Sequence, residues 1–127
     1  MHLSTLAIHV GNEKEPVTGA VVPPLFLSST FAPDGNFADA AFDYSRSGNP
    51  TRAGLERTLA ALEGGVGALA FSSGMAAIHC ATQLLKTGDH ILAGTDIYGG
   101  TFRLLRKILS RVGIETTLVP LDDIRAV

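Results

Sequence analysis

The stretch Ala68-Leu69-Ala70-Phe71-Ser72-Ser73-Gly74-Met75-Ala76-Ala77 decides the fold. Residues Val66 to Phe71 are short and uncharged, as expected of a strand buried on both faces. The chain then turns through Ser72-Ser73-Gly74 directly into a helix predicted from Met75 to about Lys86. A helix entered this way begins with unpaired backbone N–H groups and the positive end of its dipole. Gly74 has no side chain to block close approach, and Ser72 and Ser73 add hydroxyl donors. Together these make a ready site for a phosphate. From these residues alone, a phosphate cradle and a plain helix cap fit equally well.

Outward from that turn the chain alternates between helix and strand. Upstream, Asn49 is a good N-cap, Pro50 suits the first helical position, and Leu55, Leu59 and Leu62 recur at helical spacing until Gly64-Gly65. Downstream, Thr87-Gly88-Asp89 closes the second helix, and His90-Ile91-Leu92-Ala93 reads as a second strand. A third helix carries Phe102, Leu105, Ile108, Leu109 and Val112 on its apolar side and ends at Gly113. Ile114 to Val119 reads as a third strand, and Asp122 as the cap of a fourth helix over residues 123–127. Alternation of this kind predicts an α/β fold with a parallel sheet between helices. Three strands do not complete such a sheet, so the expectation is the front of a longer protein.

Residues 1–48 follow another grammar. They hold four of the six prolines, and Pro23-Pro24 favours extended backbone. The prediction is an extended arm with one short helix near its start. Phe26, Phe31, Phe37, Phe42 and Tyr44 are too many aromatics for a solvated tail, so the arm is expected to lie on something else. The division expected is an arm over 1–48 that packs on an adjacent subunit, and the first part of a larger domain over 49–127.

Composition narrows the function. The 127 residues are 46% hydrophobic and 17% charged, which excludes a disordered chain. The formal net charge of −2 gives no electrostatic footprint for nucleic acid or an anionic membrane. The single cysteine, Cys80, allows no intrachain disulfide. No signal peptide is visible after Met1, and no apolar stretch reaches the roughly 18 residues a membrane span needs. These features predict a soluble, cytoplasmic protein.

Other motifs carry less. Ser72 between Ala70 and Gly74 has the outline of a nucleophile elbow, but His79 and His90 fall too early for that partnership. Gly64-Gly65-Val66-Gly67 precedes a strand and is no dinucleotide fingerprint. The histidines show no metal-ligand spacing, so no metal is expected. Arg103, Arg106, Lys107 and Arg111 read as a solvated helix face. Tyr44-Ser45-Arg46 is more suggestive, because an arginine fork and a phenol both suit phosphate. Tyr98-Gly99-Gly100 follows a predicted strand, at the end where open α/β sheets bind ligands. The flanking glycines would let the ring lie flat against a planar cofactor.

Taken in order, these stretches resemble one family. Phe42-Asp43-Tyr44-Ser45-Arg46-Ser47-Gly48-Asn49-Pro50-Thr51-Arg52, Leu62-Glu63-Gly64-Gly65, Ser72-Ser73-Gly74-Met75-Ala76-Ala77, Gly88-Asp89-His90 and Asp96-Ile97-Tyr98-Gly99-Gly100-Thr101 resemble the pyridoxal-phosphate enzymes of cysteine and methionine metabolism. That group includes cystathionine γ-synthase, cystathionine γ-lyase, cystathionine β-lyase and methionine γ-lyase. The resemblance implies the opening portion of the aminotransferase type I architecture, a three-layer αβα domain. It implies pyridoxal 5'-phosphate as cofactor and a small amino acid as substrate. Gly74 and Met75 would give backbone N–H groups to the cofactor phosphate, with Ser73 nearby. Tyr98 would stack on the pyridine ring and assist proton transfers. Tyr44 and Arg46 would bind the phosphate of the adjacent subunit, in a homodimer or homotetramer assembled through the arm. The activity implied is elimination or replacement at the γ-carbon of sulfur amino acids, with the β-lyase and methionine γ-lyase chemistries as alternatives.

One departure matters. Lys14, Lys86 and Lys107 are the only lysines, and none has the Ser-x-Thr-Lys-like context of the family's Schiff-base lysine. Catalysis is therefore expected of a longer protein and not of residues 1–127 alone. A free-standing phosphate-binding module and an inactive remnant are the other readings.

Overall fold

The computed structural model describes residues 2–125. The chain packs as two compact units, Met1–Ala70 and Phe71–Val127.

The first unit is built on two helices, α1 (Leu3–His9) and α2 (Pro50–Glu63). Helix α2 forms where its local signals put it. The Asn49 side chain accepts from the Thr51 and Arg52 backbone N–H groups, Pro50 opens the first turn, and Gly64 closes the last at φ 64°. Helix α1 crosses α2 where two buried glycines, Gly11 and Gly54, bring the backbones together. Thr58 Oγ1 donates to the Val10 carbonyl at 2.6 Å across the same contact.

The remainder of the arm folds back on itself. Phe31 N–H donates to the Asp43 carbonyl and Ser45 N–H to the Ser29 carbonyl, around an antiparallel bridge between Thr30 and Tyr44. Phe26, Phe31 and Phe42 stack in series, with ring centroids 6.5 and 5.9 Å apart. A single helical turn covers Phe37–Asp39.

The second unit contains helix α3 (Gly74–Thr82), strand β1 (His90–Gly94), helix α4 (Gly99–Arg103) and strand β2 (Glu115–Val119). The strands pair in parallel, His90 with Glu115 through Gly94 with Val119. This is the strand–helix–strand grammar the alternation predicts. Its core is Leu104, Leu105, Leu109 and Ile114, with Met75, Leu85, Ile91, Ala93 and Ile97 packed against it.

Four expectations are corrected. Val66–Phe71 begins with a bend and has no regular structure, no ladder pairs with it among the described residues, and Leu69 is 72% exposed. A strand needs a neighbour to exist as one, and none lies beside it here. Helix α3 stops at Thr82, short of Lys86, because local bonds compete with the helical ladder. The Thr82 hydroxyl and the Gln83 amide both donate to the His79 carbonyl, and the next three N–H groups bond three residues back.

The third predicted helix begins as α4, widens into a π turn over Leu104–Ile108 and tightens to a 3-10 turn over Leu109–Val112. That change of pitch rotates the buried face onto Leu104, Leu105 and Leu109, and leaves Phe102, Ile108 and Val112 exposed. Finally, no helix forms over 123–125. Asp123, not Asp122, supplies the turn's acceptor, taking the Arg125 N–H at 3.0 Å. The rest of that predicted helix, Ala126 and Val127, lies outside the described residues.

Candidate functional site

The second unit brings four of the proposed site residues to one place. Ser73 caps α3, its hydroxyl accepting from Ala76 N–H at 3.1 Å while its carbonyl accepts from Ala77 N–H. The first two N–H groups of the helix, on Gly74 and Met75, have no acceptor among the described residues. A Cβ built on Gly74 would meet nothing within 4 Å, so the approach to those donors is open.

Tyr98 stands at the N-terminus of α4, where its carbonyl accepts from Phe102 N–H. Its ring is 71% exposed and leans over Gly100. A Cβ at Gly100 would lie 2.6 Å from the Tyr98 ring and 3.1 Å from Met75 Sδ. Thr101 Oγ1 points to the same sulfur at 3.7 Å. Met75 therefore joins the start of α3 to the start of α4, with the Tyr98 ring at the rim. The sequence places glycines after Tyr98 for a planar ligand; one of them, Gly100, instead seats the tyrosine ring itself. The sequence sets Gly100 and Thr101 beside Tyr98, but nothing in it marks Gly100 as the seat of that ring or Thr101 Oγ1 as a neighbour of Met75 Sδ.

Tyr44 and Arg46 form a second cluster in the first unit. The Arg46 guanidinium lies 4.8 Å from the centroid of the Tyr44 ring, at cation–π distance. Both side chains are exposed. The loop that carries them is heavily tied. Ser47 and Gly48 N–H groups both donate to the Tyr44 carbonyl, and Ser45 Oγ donates to the Ser28 carbonyl. Asn49 Nδ2 donates to Ser45 Oγ and to the Phe26 carbonyl.

The two histidines that follow the Ser72 turn are engaged elsewhere. His79 Nε2 meets the Gln83 amide and His90 Nε2 meets Thr117 Oγ1, so neither makes the Ser72 pair a nucleophile elbow requires. Arg103, Arg106, Lys107 and Arg111 are exposed, and Arg106 donates to the Thr116 carbonyl. Cys80 is half-buried. No group of three or more His, Cys, Asp or Glu side chains able to hold a metal occurs among the described residues. No helix there is long and apolar enough to cross a membrane.

Comparison with known proteins gives one answer from sequence and structure. Cystathionine gamma-synthase of Mycobacterium leprae is 51% identical over 127 residues, covering 98% of this chain and 33% of that protein. Cystathionine beta-lyase of Lactococcus lactis subsp. cremoris is 47% identical over 127 residues, with the same two coverages. The crystal structure of metB from Corynebacterium glutamicum superposes with a TM-score of 0.88 at 41% identity, over 100% of this chain and 34% of that one. The chain thus spans about one third of the length of the relatives it matches. A family model, "Cys/Met metabolism PLP-dependent enzyme", matches residues 4–127. With nearly every described residue inside that match, the chain belongs to the pyridoxal-phosphate-dependent enzymes of cysteine and methionine metabolism.

Proposed function

We propose that this segment is the cofactor-phosphate and ring-binding portion of an enzyme that eliminates or replaces groups at the γ-carbon of sulfur amino acids. The observation that carries the reading is the meeting of Tyr98, Gly100 and Met75 at the open N-terminus of α3. The residues fit the group. Among the described residues the Gly74 and Met75 N–H donors have no acceptor, a Cβ on Gly74 would meet nothing within 4 Å, and the exposed Tyr98 side chain stands near Met75. A phosphate suits the helix end and a flat heteroaromatic ring suits the tyrosine face.

In this reading Gly74 and Met75 hold the phosphate through backbone N–H groups. Ser73, whose hydroxyl oxygen already accepts the Ala76 N–H, can still turn its O–H proton to the same anion. Tyr98 covers the ring face, limits water there, and carries a phenol that can take or return a proton at its Oη. Pyridoxal 5'-phosphate, when bound, supplies an electron sink for the pair left as the substrate α-proton departs. Tyr44 and Arg46 serve the phosphate of an adjacent subunit, in a homo-oligomer assembled through the arm of residues 1–48. Exposure of both side chains, and an arm in which no described hydrophobic side chain is fully buried, support that reading. Residues 1–127 alone are inactive in this account, since Lys14, Lys86 and Lys107 are all exposed and stand in the wrong context for the Schiff-base role. The working compartment is the cytoplasm.

The relatives include both a γ-synthase and a β-lyase, so the position of bond cleavage is the finer part of the proposal. The test is to incubate a full-length protein carrying this segment with cystathionine and identify the products. Cysteine with 2-oxobutanoate and ammonia is expected. Homocysteine with pyruvate and ammonia as the dominant set would overturn the γ-carbon assignment in favour of β-cleavage.

A further inference from the structure

The loop that bears Arg46 is clamped from α2 by a second arginine. Arg52 Nη1 donates to the Ser45 carbonyl at 2.8 Å and Nη2 to the Ser47 carbonyl at 3.0 Å. These are the carbonyls on either side of Arg46. The third edge of the guanidinium, Nε, lies 3.5 Å from Glu56 Oε1, one helical turn further along. Glu56 Oε1 is fixed in turn by the Ala70 N–H at 2.9 Å. The Arg52 and Glu56 side chains are 32% and 22% exposed, so these bonds are partly shielded from water.

We propose that Arg52 is a positioning residue: by gripping the backbone on both sides of Arg46, it sets the direction in which Arg46 offers its guanidinium to the cofactor phosphate. The proposal rests on the reading that Arg46 binds that phosphate. Three features of the site carry it. The grip is bidentate across residues i−1 and i+1 of Arg46: it fixes the 45–46 and 47–48 peptide planes, and the Ser47 N–H bond to the Tyr44 carbonyl holds the 46–47 plane between them. A planar fork reaches both carbonyls and Glu56 from three separate nitrogens at fixed angles, which the single ammonium of lysine does not reproduce. The clamp is also anchored at both ends, by Asn49 holding Ser45 Oγ and by Glu56 holding Nε. Arg46 itself has no hydrogen bond among the described residues beyond its stacking on Tyr44. Its aim therefore comes from its backbone.

The test uses the full-length apoenzyme and two probes, pyridoxal 5'-phosphate and pyridoxal, which lacks the phosphate. Arg46→Ala should weaken binding of the phosphorylated probe by about 10- to 100-fold, as expected for a charge-assisted bond. Arg52→Lys keeps the charge but loses the fork, and should weaken the same probe by about 2- to 10-fold. Pyridoxal affinity should be unchanged in both. Because Arg52 acts through Arg46, adding Arg52→Lys to Arg46→Ala should cost nothing further. Glu56→Gln, which leaves Arg52 in place with a weaker anchor, should give the Arg52→Lys pattern at smaller size.

Wild-type affinity in Arg52→Lys would overturn the proposal while leaving the Arg46 assignment standing. Equal losses for both probes, or a full additive loss in the double variant, would reduce Arg52 to a fold-supporting role. An Arg46→Ala protein that binds pyridoxal 5'-phosphate normally would remove the underlying reading, and the proposal with it.

Discussion

Replacing Gly100 with alanine should separate stability from cofactor binding. The new Cβ would sit 2.6 Å from Tyr98 Cε1, 3.0 Å from Cδ1 and 3.1 Å from Met75 Sδ. Carbon atoms pack favourably at about 3.5 to 4.0 Å, so the ring must retreat by about 1 Å. Tyr98 is 71% exposed and is free to swing outward, and Met75 has three flexible bonds with which to yield. The steric cost to the fold is therefore small. It is opposed by the helix preference of Ala over Gly, about 1 kcal/mol at a position inside α4. The thermal midpoint should hold or rise. Cofactor binding should move the other way, because a displaced ring would lose the face-to-face contact proposed for it. Aromatic stacking is worth about 0.5 to 1.5 kcal/mol, so affinity for pyridoxal 5'-phosphate should fall by about 2- to 10-fold. Both quantities are read on one full-length preparation, by thermal melting and by equilibrium titration of the apoenzyme. Unchanged affinity with an unchanged absorption spectrum of the bound cofactor would refute the role given to Tyr98.

Other perturbations follow from the same contacts. Gly54→Ala would place a Cβ 2.7 Å from the Gly11 carbonyl oxygen, a backbone atom that cannot step aside since Gly11 itself sits at φ 80°. Overpacking of about 1 to 3 kcal/mol outweighs the helical gain of about 1 kcal/mol, so limited proteolysis should cut earlier between α1 and residue 20. Ser73→Ala removes the cap on Ala76 N–H and should cost about 0.5 to 2 kcal/mol in denaturant unfolding, with Ser73→Asp recovering most of it. The Glu13 carboxylate is held below its ordinary value of 4.5, chiefly by backbone N–H groups of its own residue and Gly11, then by Arg57. A lowered folded value contributes stability that is in place above the unfolded value and is lost as pH falls through the folded one. Docking of α1 should thus weaken only below about pH 4.5, and Glu13→Gln should flatten that acid dependence in a proteolysis-versus-pH series.

Legibility in the sequence followed the range of the interactions. Helix α2 was readable to the residue because Asn49, Pro50 and Gly64 act within one turn of themselves. The parallel pairing of β1 with β2 was readable as grammar, since a helix between two apolar runs leaves few topologies. Val66–Phe71 was not readable as unpaired, because whether an extended run becomes a strand depends on a neighbour that its own residues do not specify. The early end of α3 was hidden for another reason. Thr82 and Gln83 are ordinary helix residues by type, and only the third dimension turns both toward the His79 carbonyl. The π turn at Leu104–Ile108 likewise left no mark in a pattern whose leucines fit a regular helix nearly as well. In the candidate site, Ser73, Gly74, Met75 and Tyr98 stood out because each lies at the start of a helix that follows a run of small or apolar residues. Gly100 as a seat for Tyr98, and Arg52 as a clamp on the Arg46 loop, were not, since both depend on backbone groups that carry no sequence signature.

The arm poses the sharper physical question, since among its described residues no large apolar side chain is fully buried. Beside the bonds it makes within itself, much of its order comes from one helix. Successive positions of α2 and its cap reach out to it: Asn49 to the Phe26 carbonyl, Thr51 Oγ1 from the Phe26 N–H, Arg52 to Ser45 and Ser47, Gly54 against Gly11, Arg57 to Glu13, and Thr58 to Val10. Each bond is worth only about 1 kcal/mol net, but all of them hang on a helix that is capped at both ends and therefore rigid. A rigid comb of donors and acceptors lets a proline-rich segment pay its ordering entropy tooth by tooth, without a core. It follows that the geometry around Tyr44 and Arg46 is set jointly by the arm's own backbone bonds and by Asn49 and Arg52 of α2 and its cap. A substitution in the arm that spares these backbone partners should leave the loop in place, whereas one on the α2 face should move it.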